Sequence, residues 1–369
     1  MNTRRLAPIP MAKVPLWSKW NVGAGLVLAC AVAYGVCSKP RAAVEVATTT
    51  ALALPSSTSS QDAAAAPLVP LDGPLRPALD AISDGRGGAL IRVHFDWSPP
   101  CQVPVVYDVT KQGHAARLRM NVALEKRGSD LVMSMKNMSM IRYDDQDMTR
   151  PEVARALAPV TALMAVMPEA IISAKGEFVR VHELDAYVER LADTFERAND
   201  PNLVKLARVA RIPTFKSILE GESRMLWGNW VESWLDVSLR PGTEVKGMTK
   251  NVVYGRSLEW PFSVQHRGAV REAPQLSLLS TNEKIKGKAA EALLGSVTAN
   301  LIAQLDAAAL PADFAAGIAM DRSNTVALDV ARARPHHARY EVKFMAGNVS
   351  GTEIRDTAFD WSHATGCGT

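Results

Sequence analysis

A chain of 369 residues with 42 Lys+Arg, 38 Asp+Glu and 47% hydrophobic residues has ordinary globular composition. This excludes collagenous, coiled-coil and wholly disordered chains, and polytopic membrane proteins, which need several long apolar runs. The net charge of +4 invites a nucleic-acid reading, but residues 1–37 carry Arg4, Arg5, Lys13 and Lys19 and no acid. Removing those four leaves 38 basic against 38 acidic residues, so no nucleic-acid partner is expected.

The basic flank precedes an uncharged run from Val22 to Cys37. A positive flank before an apolar run sends a segment into the export machinery with its basic side held in the cytoplasm. As a helix the run reaches about 24 Å, short of a hydrocarbon core of roughly 30 Å, although Leu16, Trp17 and Trp20 extend it. Three fates stay open. The first is a retained single-span anchor through residues 22–37. The second is a signal peptide cleaved after Ala31-Val32-Ala33, and the third is lipid modification at Cys30. All three place the remainder outside the cytoplasm, in the periplasm or at the cell surface. Residues 38–75 are an Ala/Thr/Ser/Pro-rich tract with too little apolar surface to order itself. As a tether it spans roughly 35 Å.

The domain is expected over 76–369. Ala89–Phe95, Val103–Tyr107 and an alternating run with Leu118, Met120, Val122 and Leu124 on one face read as strands, followed by Leu131–Ile141. Thr149-Arg150-Pro151-Glu152 has capping-box spacing before a helix. A strand pair surrounds Gly176, and Glu183–Ala198, Asn202–Ala210 and Lys216–Leu235 read as helices. Asn251–Leu258, Trp260–His266 and Gln275–Ser280 return to strand, with one more helix around Glu283–Leu305. Thr325–Ala331, Arg339–Ala346 and Glu353–Trp361 close the chain as strands. This order predicts an α+β fold, a curved and mainly antiparallel sheet packed on a helical segment. Two similar halves sharing the sheet are an alternative.

Among the cysteines, Cys101 and Cys367 lie in the exported part, and each follows a Phe-Asp-Trp-Ser segment (95–98 and 359–362). If those segments end neighbouring strands, a disulfide joins the first strand to the last; two free thiols are the alternative. Trp227, Trp230 and Trp234 recur at i, i+3 and i+7. They suit either a lid over an apolar cavity or, as periodic aromatics more commonly do, the core. Met133, Met135, Met138 and Met140 offer soft sulfur of the kind that selects Cu(I). Strand alternation divides them between two faces unless a bulge intervenes, so flexible core filling is the expected role and no metal is assigned. Asp144, Asp145 and Asp147 lack the Gly and Glu of a calcium loop. His336 and His337 read as a solvated turn beside Pro335. No nucleophile elbow, zinc-type histidine array or phosphate loop is present. Only His94 with Asp96, and His363 with Asp360, keep an enzymatic reading open, and no cofactor is implied.

The 1–37 leader, the 38–75 tether and the strands ending in Phe95-Asp96-Trp97 and Phe359-Asp360-Trp361 resemble bacterial cell-envelope proteins of unknown function, lipoprotein-like ones above all. The resemblance implies a periplasmic or surface role and transfers no site residue. The expected function is a membrane-tethered binding module for an apolar, lipid-like envelope ligand. The alternatives are a non-catalytic structural or interaction protein of the envelope and, behind it, a hydrolase with an unrecognised site.

Overall fold

The computed structural model describes residues 81–82 and 90–368, apart from 112, 145, 152, 154–166, 198–203, 205–206, 209, 254–255, 291–318 and 347–348. The leader (1–37) and tether (38–75) lie outside the described residues. Among those described, no helix is long and apolar enough to cross a membrane.

The first strands are β1 (Ala81–Ile82), β2 (Ile91–Arg92), β3 (Cys101–Lys111), β4 (His114–Arg127) and β5 (Asp130–Tyr143). Next come β6 (Gln146–Asp147), β7 (Ala170–Ile172) and β8 (Phe178–Val181). The helices α1 (Leu184–Arg197) and α2 (Pro213–Trp230) follow, then a 3-10 turn at Glu232–Trp234. The chain returns to strand with β9 (Ser238–Leu239), β10 (Glu244–Val253), β11 (Arg256–Val270) and β12 (Ala273–Lys286). It ends with β13 (Ala319–Asp329), β14 (Arg334–Ala346) and β15 (Val349–Phe359).

All but β2 and β9 join one 13-stranded sheet with a main path β1-β11-β12-β13-β14-β15-β3-β4-β5-β7-β8. Every pairing is antiparallel, so the sheet is mostly a meander of hairpins, with a return from the C-terminal β15 to β3 and the N-terminal β1 added beside β11. Alternation explains its inner face: Leu118, Met120, Val122 and Leu124 of β4 are buried in the core, while Arg117 on the other face pairs with Asp108 of β3. Gly128, at positive φ, makes the tight β4–β5 turn.

The expected curvature follows from where α2 makes its bonds. Trp227 donates to the Gly176 carbonyl between β7 and β8, and two residues later the Asn229 carbonyl accepts from Asn324 of β13. Seven inter-strand steps separate β13 from β8, roughly 34 Å in a flat sheet. A single helical turn reaches both only because the sheet curls around it. One core cluster accordingly joins Leu279 and Val326 on one side to Ile172 and Phe178 on the other. The α+β architecture with a large, mainly antiparallel open sheet is therefore observed.

Several boundaries differ from expectation. Ala89–Phe95 forms only the short β2, since Val93, His94 and Asp96 bond to loop carbonyls of Val237, Val330 and Arg332. The Asn251–Leu258 segment straddles a hairpin between β10 and β11. The helix expected from Glu283 starts later, because β12 runs on to Lys286 with Glu283 and Lys284 paired to Arg322 and Asp321; the expected helical residues from 291 lie outside the described set. Helix α2 stops at Trp230, and Trp234 lies on the 3-10 turn, its indole donating to the Asn229 carbonyl. Most of the helix expected after Pro151 also lies outside the described residues.

Candidate functional site

The two Phe-Asp-Trp-Ser segments come together. Phe359 ends β15 opposite Val105 of β3, and Cys101 opens β3. Cys101 and Cys367 form a disulfide. Within each segment Phe and Trp stack, at 6.1 Å for Phe95–Trp97 and 6.4 Å for Phe359–Trp361. Both indoles donate to carbonyls where β13 turns into β14, Trp97 to Ala333 and Trp361 to Pro335. The tetrapeptide echo thus marks two equivalent aromatic supports, 5.0 Å apart edge to face.

The three tryptophans expected as a lid or core sit inside this aromatic cluster. Trp227, Trp230 and Trp234 are 0%, 1% and 0% exposed. Trp227 meets Trp97 at 5.4 Å, Trp230 meets Phe359 at 5.2 Å, and the Trp230 indole donates to Thr357 Oγ1. Their N–H groups are satisfied and their faces packed.

The methionines are placed differently from strict alternation. Asn137 has φ 53°, and β5 slips by one residue against β4 between the pairs Asn121–Lys136 and Arg119–Ser139. This bulge restores the inward direction after it. Met133 and Met140 are buried in the core, Met135 and Met138 pack against it, and Met120, Met148 and Met167 join them. All four β5 methionines therefore belong to one apolar wall.

Between this wall and α2 lies a cleft of about 410 Å³, counted out to its solvent mouth. Its walls are Met133, Met135, Met167, Pro168, Ala170 and Leu226, and Glu222, Ser223 and Arg355 stand at its polar end. The space it leaves for solvent is about 20 Å³, room for about one water molecule. Leu226, rather than any of the tryptophans, represents the last turns of α2 there.

The polar end belongs to a buried charge cluster. Arg355 places Nε and Nη2 on Glu353 Oε1, each at 2.5 Å, and Lys111 reaches Glu353 Oε2 at 3.0 Å. Glu222 of α2 stands 3.4–3.5 Å from the Arg355 guanidinium. Burial raises the Glu222 pKa, with Arg355 pulling the other way. For Glu353 burial also acts upward, but Arg355 and Lys111 outweigh it and hold the carboxyl below its usual range. Sequence inspection did not single out this group, whose members come from β3, α2 and β15. The only signal is an inward series on β15, Glu353, Arg355, Thr357 and Phe359, readable only once the face is known.

The histidines do not form a catalytic set. His363 pairs locally with Asp360, while His94 and Asp96 are exposed. No group of three or more His, Cys, Asp or Glu suited to a metal occurs among the described residues. Asp144 is a turn residue holding His114 and the Ala115 amide.

His337 corrects the solvated-turn expectation. It lies on β14, 2% exposed, with Asp356 3.5 Å from Nε2, and burial followed by the nearby Arg339 pushes its pKa down to about 4. The unfolded chain binds this proton near pH 6.5 and the native state only near 4, so native stability falls as pH drops through that interval. The expected loss is up to about 3 kcal/mol. His266 and His336 shift in the same direction, so His337→Leu should remove part of the slope in urea midpoints, and an unchanged slope would refute the assignment. Neither family models nor curated proteins provide a match for this chain.

Proposed function

We propose that the domain is an extracytoplasmic binding module for an apolar, lipid-like envelope ligand, held at the membrane through residues 22–37 and spaced from it by the 38–75 tether. The observation that carries this reading is the bulge at Asn137, which adds Met138 and Met140 to the wall that Met133 and Met135 present beside the cleft. Methionine side chains are flexible and polarizable, and they recur where one surface must fit variable apolar shapes. The disulfide supports placement in an oxidising compartment.

The test is native mass spectrometry of the full chain isolated from its own envelope, beside a Met135→Lys variant. Apolar adducts on the wild type that fall at least about tenfold in occupancy in the variant are expected, since a buried ammonium in an apolar wall is costly. Absence of adducts, together with no binding of added lipids, would overturn the reading. The packed surroundings of Trp227, Trp230 and Trp234 favour the second reading, a non-catalytic interaction protein of the envelope, which that negative result would leave standing.

A further inference from the structure

We infer that β10 is a docking edge for a second copy of this chain, which adds its own β10 antiparallel about a two-fold axis at Gly247 and continues the sheet from one copy into the other. The inference is independent of the apolar-ligand reading.

Sheet edges are usually blunted, because their free N–H and C=O groups template pairing with another chain. At one end of the sheet β8 has four residues and a register shift against β7. At the other end β1 has two. The edge strand β10 has neither protection. Its ten residues, with no proline among them, pair with β11 in unbroken register, and no other described strand pairs with it. Val245 and Met248 are 51% and 60% exposed. They point to opposite faces, so the edge is open on both.

Charge selects how a second copy pairs. In a continuous sheet opposite residues share a face, so the axis passes through a residue of β10. Only two centres set Glu244 opposite a lysine. Val245 as centre overlaps just Glu244–Lys246 of the strand. Gly247 as centre overlaps residues 244–250 and sets each Glu244 opposite position 250 of the other copy, a lysine. Centring on Lys246 would set like charges face to face, which is unfavourable. With Gly247 at the centre, Lys246 stands opposite Met248 of the other copy, an exposed thioether for the lysine stem to cover.

Gly247 also suits the axis sterically. A Cβ there would fall 2.9 Å from the Phe262 ring, so this half-buried ring lies over bare backbone and reaches towards the edge. Two Gly247 residues side by side leave no side chain between the Phe262 rings of the two copies. Val245 lies on the same face and extends this apolar strip across the axis.

Sedimentation equilibrium of the full chain in density-matched detergent micelles tests this. A dimer is expected that dissociates at least about tenfold more readily in Glu244→Lys, since both opposed pairs then carry like charges. Adding Lys250→Glu to that variant should restore the wild-type constant, which a misfolded protein would not do. In the double variant Lys246→Cys/Met248→Cys, mild oxidation should join position 246 of one copy to 248 of the other, read by mass spectrometry of the peptides. A chain that stays monomeric, a dimer indifferent to Glu244→Lys, or a charge reversal that fails to rescue would overturn the inference.

Discussion

Trp227→Ala should lower the unfolding free energy by about 3–5 kcal/mol, the range for emptying a large buried aromatic site. The side chain is 0% exposed and packs edge to face against Trp97 at 5.4 Å and Phe95 at 6.1 Å. Its indole donates a 2.7 Å bond to the Gly176 carbonyl, which the substitution would leave without that donor. Collapse around the void is resisted at Gly176, where a Cβ would already lie 2.5 Å from the Phe95 ring. Trp227→Phe keeps most of the apolar contact and loses the N–H, so it should cost about 1–3 kcal/mol. Urea unfolding followed by near-ultraviolet circular dichroism measures both. A loss under about 1 kcal/mol for the alanine variant would mean that the ring borders open space and would return Trp227 to the role of a lid.

The same region shows how far the sequence could be read. The i, i+3, i+7 spacing placed Trp227, Trp230 and Trp234 on one buried side, and that side is buried. It could not show that the α-helix stops at Trp230, because the stop depends on Val231 leaving helical geometry and not on a Gly or Pro. Between Ala116 and Glu125 of β4 each inward residue is apolar and each outward one polar or small, so both the strand and its face were legible. In β5 the alternation breaks at Asn137, which adopts positive φ more readily than most residues. Four methionines in eight residues look the same with or without that slip, so the shared wall was hidden. The end of β12 failed for a different reason: Glu283, Lys284 and Lys286 have the composition of a helix start, and only their partners on β13 make them strand. The Lys111–Glu222–Glu353–Arg355 cluster was least legible, since charged residues facing inward contradict the pattern by which faces are assigned.

Opening the Cys101–Cys367 bond, by reductant or by the double serine variant, should cost about 3–5 kcal/mol. In the chain-entropy account a cross-link restricts the unfolded chain more as its loop lengthens, and this loop spans 266 residues. Little of the loss should come from the native side. The β15–β3 ladder pairs Glu353–Phe359 with Lys111–Val105 by backbone bonds that do not need the sulfurs. Thr365 and Gln102 exchange two further 2.9 Å bonds beside the bridge. The turn bearing Cys367 is tightly seated, since Gly366 has φ 73° and a Cβ there would fall 2.2 Å from the Pro100 carbonyl oxygen. The reduced protein should therefore fold to the same structure and unfold cooperatively, with a lower urea midpoint. Its slope with denaturant should be steeper, because the freed unfolded chain exposes more surface. That pair of changes separates an unfolded-state effect from native distortion, which would lower the midpoint without steepening the slope. A midpoint unmoved by reductant would mean that the two thiols are not joined in the folded protein. The argument for an oxidising compartment would then lose its structural support.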